Sequence, residues 1–247
     1  FDAAEQVQIR LYFLKSSCKK IIMIDFNEMI DNHLKKENRP KDVGRYYPSE
    51  IGMCLRKVWY SYKFPLEIMP DLLKIFELGN IMHDFVVEVL KSEKNSHVQL
   101  LKSEFPFKHD VDDFTISGRI DNLLLVKASG KEVLVEVKST ADEGYVKEAA
   151  PHNVVQLQLY MHVLGIHNGI LLYVDKKNLQ SKVFEVPYEK EEAEKIIERF
   201  KALHKNLVSD TVPEPEARGA SKTLWMCRYC EYKDKCYAET PASNKWP

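Results

Sequence analysis

Residues 114–140 constrain the fold most. "FTISGRIDNLLLV" and "KEVLVEVKST" are two runs rich in branched residues, separated only by "KASG". Such runs read as strands, and the short connection pairs them antiparallel. Alternation in the second run puts Val133, Val135 and Val137 on one face and Leu134, Glu136 and Lys138 on the other. The valine face is expected to pack on a helix. Asp121 then lies across from the Glu136–Lys138 pair, and two carboxylates on adjacent strands can converge on one hard cation, Mg²⁺ or Mn²⁺. Such an ion binds phosphate oxygens, lowers the pKa of an attacking water and stabilises a leaving oxygen. Lys138 is expected to position that water. A Glu-x-Lys pair by itself is most often solvated, so the reading rests on all three residues occurring together.

The flanking pattern supplies helices. "FNEMIDNHLKKEN" reads as an amphipathic helix ending before Pro40, and "PSEIGMCLRKVWYSYKF" as a helix carrying Cys54 in its first turns. "DLLKIFELGNIMHDFVVEVLKS" has helical apolar spacing and carries His83, whose imidazole can complete a metal shell and favours Mn²⁺ somewhat. "LLKSEFPF", "GILLYVD" and "SKVFEVPY" add strands, and "EKEEAEKIIERFKALHKNLV" is a charged helix with Glu-to-Lys pairs. In "PHNVVQLQLYMHVLG", His152, Gln156 and Tyr160 share one stripe. Gln156 and Tyr160 are expected to contact DNA backbone and steady Lys138; the commoner alternative is core packing. Residues 1–24 read equally as two short strands or a helix. The order implies an α/β core flanked by a lobe drawn from both chain ends.

The net charge of −1 gives no global signal for nucleic acid, although a local basic groove is sufficient. No apolar run approaches the ~18–20 residues of a membrane span and no secretory leader is visible. Five cysteines, three of them in "CRYCEYKDKC", point to metal binding in a reducing compartment, hence a cytoplasmic location. From spacing alone, a zinc site with four cysteine ligands is favoured over an iron–sulfur cluster.

Taken in order, "CLRKVWY", "GNIMH", "GRID", "EVK", "QLQLY" and "CRYCEYKDKC" resemble the CRISPR-associated RecB-like exonucleases of the PD-(D/E)XK superfamily over residues 48–240. The resemblance implies a restriction-endonuclease-like core with a mixed sheet flanked by helices, and a lobe holding a four-iron–four-sulfur cluster on Cys54, Cys227, Cys230 and Cys236. Cys18 is left as a free thiol. It implies a metal site of His83, Asp121, Glu136 and the Val137 carbonyl, with Lys138, Gln156 and Tyr160 catalytic and Gln156, Tyr160 and Arg56 at the DNA. The implied parts are an N-terminal segment (1–40), a helical part (41–98), a nuclease core (99–210) and a cysteine segment (211–247). The implied activity is a Mg²⁺- or Mn²⁺-dependent exonuclease on single-stranded DNA, mainly 5′ to 3′, trimming prespacers alongside CRISPR integrase subunits. Alternatives are a stand-alone or viral RecB-like nuclease, an inactive DNA-binding relative and a zinc-stabilised adaptor. Tyr46, Tyr47, Trp59, Tyr60 and Tyr62, beside Arg45, Arg56, Lys57 and Lys63, offer rings and charges for a single strand, against core packing of most of these rings.

Overall fold

The computed structural model describes residues 24–239, apart from residues 36 and 38. The chain divides into two units, residues 1–35 and 36–247. In the first, α1 spans Phe26–Leu34, and the Asp25 carboxylate caps it by accepting from the amides of Asn27 and Glu28 at 2.9 and 3.1 Å. This helix ends four residues short of the expected Asn38. The alternatives for residues 1–23, and Cys18, lie outside the described residues. Among the described residues no helix is long and apolar enough to cross a membrane.

The second unit is built on a six-stranded mixed sheet: β1 (Arg45–Tyr46), β2 (Val98–Val111), β3 (Phe114–Val126), β4 (Lys131–Thr140), β5 (Asn168–Asp175) and β6 (Ser181–Pro187). β2 runs past the expected Phe107 to a tight turn at Asp112 and Asp113, because Val111 and Phe114 are buried as a facing pair. β3 and β4 pair antiparallel from Asn122↔Val135 to Val126↔Lys131, as their short connection requires. β4 then pairs parallel with β5 along Leu134–Thr140, and β5 antiparallel with β6.

Both faces of β4 are covered. Val133, Val135 and Val137 pack with Val86 of α4 (Pro70–Lys91), while Leu134 joins the larger core with α5 (Pro151–Leu164) and α6 (Lys190–Val208). The valine face is thus buried against a helix, as expected. The opposite face is not solvated, because β4 is an interior strand and α5 roofs it. Glu136 is only 2% exposed.

The segment "PSEIGMCLRKVWYSYKF" is two helices rather than one, α2 (Pro48–Ile51) and α3 (Leu55–Lys63), with Cys54 as the N-cap of α3. The break follows from packing. A Cβ on Gly52 would lie 2.7 Å from Cα and Cβ of His152, so the chain can cross the start of α5 only where a side chain is missing. We expect Gly52→Ala to destabilise the fold by about 1–3 kcal/mol through overpacking. Chemical denaturation of the purified variant against the parent measures this; equal midpoints would show that the crossing is loose.

Candidate active site

The antiparallel ladder between β3 and β4 stops at Asn122↔Val135, whereas β1 pairs parallel with β3 at Thr115 and Ile116. The intervening stretch of β3, residues 117–121, forks away from β4, and side chains occupy the opening. Asp121 Oδ2 accepts from the Val137 amide at 2.7 Å, standing in for a ladder carbonyl. Tyr160 donates from its hydroxyl to the Arg119 carbonyl at 2.9 Å. Backbone groups stranded by the fork are thereby satisfied, as burial demands.

Glu136 and Lys138 project beside Asp121. Lys138 Nζ donates to Glu136 Oε1 at 2.7 Å and to Gln156 Oε1 at 3.3 Å, and Gln156 Nε2 donates to the Tyr160 hydroxyl at 3.1 Å. The α5 stripe therefore does steady Lys138. His152, the third member of that stripe, packs against Gly52 and its ring sits 5.6 Å from that of Trp225. His83 arrives from α4 with Nδ1 3.5 Å from Asp121 Oδ1. Glu104 of β2 joins it, with Oε1 3.5 Å from the same nitrogen. His83, Glu104 and Asp121 form a group whose ligand atoms all lie within 4.8 Å of one another. Glu136 stands next to this group rather than in it, and its Oε2 is buried without a hydrogen-bond partner.

The electrostatics follow from burial. Burial pushes the Asp121 carboxyl up to about 6, against the pull of Lys138 and the Val137 amide. Burial and then the Asp121 charge push Glu136 up to about 7. Burial alone would lower Lys138, but Glu136 and Asp121 hold it above its ordinary value. All three directions have one meaning: without a cation the site retains protons. A dication, which needs ionised oxygens, replaces them. The orphaned Glu136 Oε2 is an acceptor that such an ion can satisfy.

A groove opens over the fork, lined by Arg45, Tyr47, Lys108, Arg119, Gln156 and Tyr160 among others. Of the aromatics proposed for base stacking, Tyr47 lines it. Tyr46, Trp59, Tyr60 and Tyr62 are core residues, and each spends its polar atom internally. Tyr46 bonds His204 at 2.7 Å, Trp59 the Asn206 carbonyl at 3.1 Å, Tyr60 Glu239 at 2.5 Å and Tyr62 the Arg45 carbonyl at 2.9 Å. Their rings are not available to a strand. Arg56 is likewise 5% exposed and turns away from the groove, bonding the Pro213 carbonyl at 2.5 Å and facing Cys236 Sγ at 3.9 Å. Lys57 and Lys63 pair with Glu231 at 2.9 Å and Asp210 at 2.7 Å.

Cys54, Cys227, Cys230 and Cys236 line one small cavity with Arg56, Arg218 and Met226. Neighbouring bonds set their positions. Leu55 donates its amide to Glu216 at 2.7 Å; Glu216 is clamped by Arg199, which also bonds the carbonyls of Ile51 and Met53 at 2.9 Å each. Tyr232, between the tail cysteines, donates to the Phe64 carbonyl at 2.9 Å. Burial raises the thiols of Cys227 and Cys230, and neighbouring thiols of the set add to it.

Residues 49–237 match the PD-(D/E)XK nuclease superfamily. The chain is 25% identical to a CRISPR-associated exonuclease, Cas4, of Saccharolobus solfataricus over 84% of this chain and 92% of that protein. The solved structure of SSO0001 superposes with a TM-score of 0.61 at 20% identity, over 87% of this chain and 98% of that one. An alkaline exonuclease from Laribacter hongkongensis gives 0.50 at 12% identity, over 73% and 95%.

A pH experiment tests the buried carboxylates. Their folded-state pKa values of about 6 and 7 lie above the ordinary 3.8 and 4.5, so between roughly pH 4 and 7 the native site holds protons that the unfolded chain has released. Their contribution to stability therefore falls as pH rises through that window and levels off above it. In metal-free buffer, the parent is expected to lose stability from pH 5 to 7.5 relative to an Asp121→Asn/Glu136→Gln double variant. Parallel denaturation curves would contradict the burial argument.

Proposed function

The chain belongs to the PD-(D/E)XK nuclease superfamily, and from that membership we propose that it is a divalent-metal-dependent exonuclease on single-stranded DNA. The observation carrying this is the buried, unpartnered Glu136 oxygen beside Asp121 and Lys138, which Gln156 connects to a groove lined by Arg45, Lys108 and Arg119. The alkaline residues along the groove hold phosphates, and the Tyr47 ring offers one stacking surface. His83, Asp121, Glu136 and the Val137 carbonyl are the residues to hold Mg²⁺ or Mn²⁺. When bound, the ion supplies an activated water and stabilises the leaving oxygen.

The chain's own residues do the rest. Lys138, steadied by Gln156, orients the water and offsets the negative charge on the phosphoryl oxygens in the transition state. Tyr160 stays neutral, because burial and the Glu136 charge raise its pKa, so it acts as a hydrogen-bond donor that braces Gln156 and β3. A preference for digestion from the 5′ end, and work on prespacers beside integrase subunits, are proposed from the resemblance to the CRISPR-associated RecB-like exonucleases.

We also assign an iron–sulfur cluster to the four cysteines. The four cysteines surround one cavity. The resemblance to the cluster-bearing RecB-like exonucleases, rather than cysteine spacing, favours a multi-atom cluster there over one zinc ion. Because it joins the N-cap of α3 to the tail, the cluster acts on folding.

Two tests follow. On end-labelled single- and double-stranded DNA with Mn²⁺, Mg²⁺ or EDTA, the parent should shorten single strands only with metal. Lys138→Ala should lose rate by about a hundredfold or more while still binding Mn²⁺; a parent-like rate would remove Lys138 from the chemistry. Cys54→Ala should lose the absorption near ~400 nm and the iron and sulfide content of the purified protein. Full iron content in that variant would take Cys54 out of the ligand set.

A further inference from the structure

Glu104 sits inside the 14-residue strand β2, a place where every residue ought to be extended, yet its φ is +47°. That region disfavours a residue with a side chain and is usually left to glycine or asparagine. The irregularity is local. The β2–β3 register is continuous on either side, and Glu104, which falls opposite Asp121 between the pairs Ser103↔Asn122 and Phe105↔Ile120, makes no ladder pair itself. A left-handed residue inside a strand re-aims its own side chain, and backbone strain of this kind collects at functional sites.

The re-aimed carboxylate meets His83 and Asp121. Glu104 Oε1 and Asp121 Oδ1 each lie 3.5 Å from His83 Nδ1, too long for N–H···O hydrogen bonds. Ligands of a hard octahedral cation with bonds of about 2.1 Å lie roughly 3.0 Å apart as neighbours and 4.2 Å apart across the ion. The three atoms, all within 4.8 Å of one another, are close enough to converge on one such ion. The adjacent Glu136 Oε2, buried and unpartnered, independently marks a missing positive ligand. The other Glu104 oxygen points to Arg119 at 3.5 Å, on the wall of the groove.

We propose that Glu104 is a further side-chain ligand of the cation held by His83 and Asp121, so that the centre carries three carboxylates instead of two. This rests on the metal-centre reading given above. A third carboxylate offers the ion more charge and makes the set harder, which suits Mg²⁺ as well as Mn²⁺. It also places one residue between the ion and the groove, with one oxygen on each.

The test is Mn²⁺ titration by calorimetry, with no DNA present, on the parent and on Glu104→Gln, Glu104→Asn and Asp121→Asn. Glutamine keeps the shape and removes the charge; asparagine tolerates the left-handed backbone and shortens the reach, which guards against a misfolded variant. Metal-free melting temperatures confirm that each is folded. Both Glu104 variants are expected to bind Mn²⁺ about tenfold or more weakly and to show a smaller rise in Tm on adding the ion. Parent-like affinity in both, with Asp121→Asn weakened, would overturn this assignment alone. Parent-like affinity in all three would remove the metal centre itself.

Discussion

The interaction on which the site depends is the 2.7 Å bond from the Val137 amide to Asp121 Oδ2. Where β3 leaves β4, an amide in the middle of a sheet loses its carbonyl partner, and a buried orphan N–H is costly. Asp121 replaces the lost carbonyl with a carboxylate. That substitution fixes Asp121 at the fork, places it beside Glu136 and Lys138, and buries charge in a site that then has too few positive partners. The fold tolerates the fork because β4 keeps its ladder to β5 on the other edge, through Thr140. A sheet element thus supplies rigidity on one side and an opening on the other.

Helices then supply what the opening lacks. α4 delivers His83 and packs Val86 on the valine face of β4; α5 delivers Gln156 and Tyr160 on the opposite side. The side chains of the candidate site therefore come from elements that also form the two cores. Substitutions in Leu157 or Leu159 of α5, both fully buried, would shift Gln156 and with it Lys138.

The cysteine segment is tied to this core by side-chain clamps and by Tyr232, which lies in the main core. Arg199 of α6 holds Glu216 and two carbonyls of the α2–α3 connection, so one guanidinium fixes both sides of the cysteine cavity. Gly52 brings the same connection against the first turn of α5. The path from the cysteine cavity to the candidate site thus runs from Cys54 through Gly52 to α5 and Gln156.

The sequence by itself determined the hairpin of β3 and β4, the carboxylates and lysine on it, the Gln156–Tyr160 stripe and the cysteine spacing, because each depends on a period or a short separation along the chain. Tertiary structure decided the rest. Alternation could not show that Glu136 is buried, since that follows from β4 having neighbours on both edges and helices on both faces. For the aromatic residues around Trp59 the sequence left stacking and core packing open, with core packing favoured for Trp59 and Tyr60, and their internally bonded polar atoms decide for the core. The two-residue strand β1 and the helix break before Cys54 had too little sequence to carry a pattern, although Gly52 was a visible hint. Glu104 carried no signal at all: "KSEF" reads as ordinary strand, and only a left-handed φ within the strand turns that carboxylate toward His83.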